Sequence, residues 1–325
     1  MSSIMALIGS GETLQLFIKP QPSPAPATPS WLPGVAAGVG TLLGATIAGL
    51  IGALTARYTS RTQQKITQLT LMHARENTQA EIDHLNVRMF NERFSMASEQ
   101  LGHREPTVRL AGVYAMAGLA DDWVERQQTC IDVLCAYLRL PYPPEPDETS
   151  PPPVHLTWQA HKQVRQSIIS CIREHLVERA ESKWRGRHLD FSGVVFDGGH
   201  FMGSHFDGGV INFSNARFIN YFSFREAKFT KSVILMAWST FEGRVGFEKA
   251  EFHDCLLAFD HSKFFGGGVN FDNAVVEHSI AAFHDLTFSG GSLDLRHCRF
   301  LQWPPKFSPG VDDNPPEGLL LPGGS

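Results

Sequence analysis

Motifs that carry chemistry are missing from this 325-residue chain. It has no G-x-S-x-G, no P-loop, no H-E-x-x-H and no long glycine fingerprint. The local signatures of hydrolase, nucleotide-binding and zinc-peptidase chemistry are therefore absent. Cysteine is sparse, with Cys130, Cys135, Cys171, Cys255 and Cys298 scattered and no C-x-x-C among them. An odd count with mostly apolar neighbours indicates free thiols in a reducing compartment, and Cys130/Cys135 are too loosely spaced for a zinc knuckle. Charge of one sign is lacking too. The formal net charge of −5 argues against a general nucleic-acid binder. The histidines do not converge: His200 and His205 are one repeat unit apart, and His253, His261, His278 and His284 fall at outward or corner positions. No catalytic residue, metal site or cofactor is expected.

What the chain has in abundance is phenylalanine at a fixed period. Phe191, Phe196, Phe201 and Phe206 fall five apart. The pairs Phe213/Phe218, Phe224/Phe229, Phe247/Phe252, Phe259/Phe264, Phe271/Val276, Phe283/Phe288 and Leu295/Phe300 follow with the same internal spacing, and from Phe247 the pairs recur every twelve residues. A period that is neither helical nor strictly alternating marks stacked coils, each turn burying its apolar face against its neighbours. Two residues before most of these positions sits another small or apolar residue, such as Ala216, Ala227, Ala250 or Val269. That spacing puts both side chains on one face of an extended segment. Each unit is thus a short strand followed by a corner, and a square coil takes four units, two short and two long. Gly266-Gly267-Gly268 and Gly208-Gly209 supply bends. A buried Phe contributes roughly 1.5–3 kcal/mol, so such a ladder can offset the ordering of much irregular backbone. An antiparallel sandwich is the competing arrangement, but its hairpins would vary more in spacing.

The units Leu189-Asp-Phe191-Ser-Gly193, Val194-Val-Phe196-Asp-Gly198 and Ala216-Arg-Phe218 resemble those of pentapeptide-repeat proteins. The resemblance implies a right-handed quadrilateral β-helix, with Phe standing where the family mostly has Leu and with seven-residue units bulging out of the strict five.

The N-terminal half reads differently. Residues 1–32 are Pro-, Ser- and Ala-rich after Lys19 and are expected to be a disordered tail. Gly34 to Ala56 carries no charge and as a helix would cross a hydrocarbon core of roughly 30 Å. Trp31 and Tyr58 bracket it, and Arg57, Arg61 and Lys65 follow. Positive charge on that side predicts one membrane span at 33–56 with the C-terminal part cytoplasmic; a buried helix and a signal peptide are the alternatives. Gly40, Gly44, Ala48 and Gly52 recur every four residues. Either this face pairs with a second copy to form a homodimer, or the small residues reflect only a weakly apolar span.

Residues 57–140 read as a long helix followed by shorter ones. Phe94, Ala97 and Leu101 have helical spacing and Gly102 suits a stop. Thr107 is a candidate cap, and Pro141 closes the helix holding Ile131, Leu134 and Leu138. The phrases Glu92-Arg-Phe94, Glu99-Gln-Leu-Gly102 and Val108-Arg-Leu-Ala-Gly-Val-Tyr-Ala115 are similar to a segment of membrane-anchored, actinobacterial-type pentapeptide-repeat proteins. That resemblance implies a HEAT-like helical pair rather than a catalytic unit. Residues 141–156 read as a Pro-rich linker and 157–186 as a helix capping the solenoid of 187–303, with Val164, Ile168, Ile172 and Leu176 along its apolar face. Residues 304–325 read as a second disordered tail.

The chain is therefore expected to be α+β: one transmembrane helix, a small helical module, then a right-handed β-helix. Its expected function is a non-enzymatic membrane-anchored scaffold for an unidentified cytoplasmic protein, without nucleic acid. The family also suggests an alternative, a DNA-mimicking topoisomerase binder. That role wants a dense acidic surface, whereas Asp197, Glu242, Glu248 and Asp260 alternate with Arg217, Arg225, Lys249 and Lys263.

Overall fold

The computed structural model describes residues 40–180, 183–311 and 313–322. Two compact units divide the chain, Met1–Thr78 and Gln79–Ser325. Helix α1 (Gly40–Leu101) supplies the described part of the first unit. Every residue from 49 to 78 on it is exposed. Thr55, Thr59, Thr62, Thr67, Thr70 and Thr78 donate their hydroxyls to carbonyls four residues earlier, which satisfies them without a tertiary partner. Among the described residues no helix is long and apolar enough to cross a membrane. The expected span begins outside the described residues.

In the second unit the end of α1 packs with α2 (Pro106–Asp122), α3 (Gln127–Arg139) and α4 (Pro152–Leu176). Phe90, Ala97 and Leu101 are buried, Phe94 partly so. Gly112 lets α2 cross the end of α1 closely: a Cβ there would lie 2.6 Å from the Leu101 amide nitrogen. Two expectations need correction. Thr107 is not a cap. Glu105 holds that position without a side-chain bond and Pro106 opens the helix, where its missing N–H costs nothing. By the same logic α4 starts at Pro152, inside the stretch read as linker, and ends at Leu176, ahead of residue 186. Val164, Ile168, Ile172 and Leu176 are all buried, as their spacing requires.

From Leu189 the chain winds into a β-solenoid of the right-handed type with about six turns. Four parallel sheets, two of six strands and two of five, form its sides. One turn takes 22 residues between Leu189 and Ile211 and 24 between Leu257 and Ala281. Corners demand left-handed backbone. Gly193, Gly203 and Gly208 provide it in the first turn, Asn215, Glu226 and Lys231 in the second. The strained residues are held by bonds to the next turn: the Asn215 amide donates to Ala237 O at 2.9 Å and the Trp238 amide to Asp260 O at 2.9 Å.

The solenoid does not stop at residue 303. Lys306–Phe307 pairs with Ile280–Phe283, and Leu319–Leu320 with Ser292–Asp294, so the stretch read as a disordered tail completes the last turn. Each of these strands is at a sheet edge, the one place where the adjoining prolines need not donate to a ladder.

Candidate interaction surfaces

Four columns of rings fill the solenoid. Phe196, Phe218, Phe241, Phe264 and Phe288 stack in register at 4.8–5.3 Å. Phe206, Phe229 and Phe252 follow at 4.7 and 4.8 Å, and Phe224, Phe247 and Phe271 at 4.6 and 4.8 Å. The fourth column runs Phe191, Phe213, Met236, Phe259 and Phe283. Phe201 is also fully buried. Phe288 and Phe300 depart from the expected ladder: both are only partly buried, at the last turn where no further coil covers them. Three inward residues lie outside the expected ladder: Phe222, which falls off the five-residue spacing, and the pair Met236/Phe241, which keeps it with methionine in the first place.

The first turn is sealed by the helical module. Gln128 of α3 exchanges two bonds with the His188 backbone at 2.9 and 3.0 Å, completing a strand edge that would otherwise be bare. Arg139 reaches the Asp190 carboxylate at 2.6 Å, and Arg165 of α4 donates to Val195 O at 2.8 Å. At the centre of this contact is Asp197, which is buried. It accepts from Tyr142 Oη at 2.8 Å, Lys162 Nζ at 3.0 Å and the Asn220 amide. Burial opposes its charge, but the bonds from Asn220, Lys162 and Tyr142 outweigh that and hold its carboxyl below the usual range. Within the module, Asp121 of α2 joins His175 of α4 at 3.1 Å and the Trp184 indole at 2.9 Å.

Most of the outer histidines pair with carboxylates rather than with one another, His278 instead lying edge-on to Trp303. His284 meets Asp260 at 2.7 Å, His297 meets Asp272 at 2.9 Å, and His253 meets Glu277 at 3.0 Å. Among the described residues no group of three or more His, Cys, Asp or Glu could hold a metal. An open groove of about 400 Å³ follows the glycine corner at Gly266–Gly268 and Gly290–Gly291, lined by Glu242, Arg244 and Asp294. Gly40, Gly44, Ala48 and Gly52 share α1. The surroundings of the first three lie outside the described residues, and a side chain at Gly52 would meet nothing within 4 Å.

All five cysteines are free and buried. Burial pushes the thiols up, Cys130 to about 11 and Cys135, Cys171 and Cys298 to about 12. The native protein is expected to give no reaction with Ellman's reagent at pH 8 until denaturant is added. Rapid release from any one thiol in native buffer would contradict this burial.

No curated protein and no solved structure matches the chain. Residues 191–235, the first turns of the solenoid, match the family model described as pentapeptide repeats (9 copies), and in that segment the chain is similar to that family.

Proposed function

We propose that the protein is a non-enzymatic scaffold that presents its solenoid to a protein partner. The observation that carries this is the solenoid itself: flat parallel sheets on a solid aromatic core, sealed at the first turn by a dedicated helical module. Such a body offers rigid faces at little ordering cost on binding. In this reading it resembles the membrane-anchored, actinobacterial type. The uncharged run Gly34–Ala56 forms one span, and Arg57, Arg61 and Lys65 keep the solenoid on the cytoplasmic side. The face made by Gly40, Gly44, Ala48 and Gly52 pairs two copies in the bilayer. DNA mimicry is the weaker reading, because acidic groups on the coil are neutralised between turns, as in Arg217–Glu242 at 2.8 Å and Lys228–Glu251 at 3.4 Å.

Affinity capture with the full chain and with a version ending before Leu189 tests the scaffold role. Partners recovered only with the repeats are expected. Equal recovery from both removes the scaffold role, and recovery of the full chain from cells in the carbonate-extractable fraction removes the span.

A further inference from the structure

One side of the solenoid has a different outer face from the other three. Strands of a water-facing sheet alternate apolar and polar residues, and a strand that is apolar throughout is ordinarily buried on both faces. Most strands here alternate, for example Glu251–His253 around Phe252 and Lys228–Thr230 around Phe229. Among the strands of three or more residues, three do not: Val233–Leu235, Leu256–Ala258 and Ile280–Phe283 contain no polar residue. They are consecutive neighbours in one sheet, in register. Ile234, Leu257 and Ala281 point inward, leaving Val233, Leu235, Leu256 and Ile280 on the outside, while the small side chains of Ala258 and Ala282 are themselves buried. Val210 extends the first column by one turn. Leu256 and Ile280 remain 38 % and 40 % exposed. In the same turns each other sheet carries charge outside: Lys263 on the second, Arg244 and Asp294 on the third, Glu251 and Glu277 on the fourth.

The rim has its own character. Trp238, 54 % exposed, occupies a corner with φ of 63°. Glycine, asparagine or aspartate holds the equivalent corner at Gly193, Asn215 and Asp285, and His261 holds it in the turn after Trp238. The indole stacks on His261 at 4.2 Å, so a strained backbone holds a large ring out beside the apolar side. Trp303 is exposed on the opposite rim. Asp254, Asp260 and Asp285 stand at the strand ends, against Lys231 and against Lys306 beside Ala282, and Asp260 also meets His284.

Size selects the occupant. Outward residues one and three of a strand are about 7 Å apart, and four strands at about 4.8 Å span about 14 Å. That is far below the roughly 800 Å² per partner that a stable dimer needs. It suits one helix about 10 Å wide lying along the solenoid axis, whose 5.4 Å pitch nearly matches the strand spacing and sets one apolar residue over each turn. Building on the scaffold reading above, we propose that this side docks a single amphipathic helix of a partner protein. An apolar stripe lies over Val233, Leu256 and Ile280, and flanking lysines or arginines face Asp254, Asp260 and Asp285.

The test uses the full chain labelled with fluorotryptophan, its Trp238 and Trp303 resonances assigned from Trp238→Phe and Trp303→Phe. The probe is a stapled helical peptide of about 14 residues with a leucine stripe flanked by lysine; its twin carries glutamate instead. The lysine peptide is expected to shift Trp238 saturably and leave buried Trp184 unmoved. The glutamate twin and the variants Leu256→Glu and Ile280→Glu are expected to bind at least about tenfold more weakly, with thermal unfolding unchanged. No shift of Trp238 at millimolar peptide, or equal binding by the twin or by Leu256→Glu, overturns the proposal. So does loss of self-association in Leu256→Glu, which would assign the side to a second copy, or Leu256-dependent binding to phosphatidylcholine vesicles, which would assign it to a bilayer. Repeat-dependent partner capture that survives Leu256→Glu leaves the scaffold role standing and overturns this proposal alone.

Discussion

Phe247→Ala is expected to destabilise the solenoid by about 3–5 kcal/mol, the range for removing a large buried ring from a core that cannot collapse. Phe247 lies between Phe224 and Phe271, nearly parallel to both, and touches Phe229, Phe252 and Phe259 edge-on or tilted. Its backbone is fixed by the next turn and by its own corner: the amide donates to Asn270 O at 2.7 Å, and the carbonyl accepts from the Ala250 amide three residues on at 3.0 Å. The stacked rings therefore cannot close the gap without breaking inter-turn ladders. Phe247→Leu keeps most of the volume and is expected to cost less than about 1.5 kcal/mol. Urea unfolding gives the difference. Because each turn contacts only its neighbours, amide exchange should rise first in the strands flanking Gly246. A loss under about 1 kcal/mol for the alanine variant would mean the ring is not enclosed as described.

The ladder was legible in the sequence because its period survives every turn from Phe247 onward. It was lost between Phe229 and Phe247, where the pair five apart is Met236/Phe241 and methionine takes the place of its first ring. Phe222 escaped because it lies two residues before Phe224 and fills the column of Val245 and Val269, not a ring column. Prolines misled twice, at Pro152 and after Trp303, because proline breaks helices and sheets only in their interiors and is welcome at a helix start or a sheet edge. The apolar triplets Val233-Ile-Leu235 and Leu256-Leu-Ala258 were visible as text. Their meaning depends on register, which sets them side by side. The Asp197 cluster was not legible at all, since Tyr142, Lys162 and Asn220 come from a loop, a helix and the next coil.

Asp197→Ala is expected to loosen the helical module from the first turn at a cost of about 3 kcal/mol, the low end for breaking a buried charge pair. Lys162 retains some access to water, its side chain being 27 % exposed, which keeps the loss from being larger. The Tyr142 hydroxyl and Asn220 amide lose their acceptor as well. The same carboxylate sets an acid limit on the assembly. Its pKa is lower in the folded protein than in the open chain. Its stabilisation is therefore complete above the ordinary carboxylate value of about 3.9, and drains away as pH falls through the folded value below that. Asp197→Asn keeps the shape and removes the titration, so its melting temperature should fall less steeply than the wild type's across that acidic window. Amide exchange in α4 is the direct readout: faster exchange around Val164 and Ile168 in Asp197→Ala at neutral pH, with the coils beyond Phe247 unchanged. If α4 keeps its protection, Asp197 does not hold the module, and Arg139 and Arg165 must suffice.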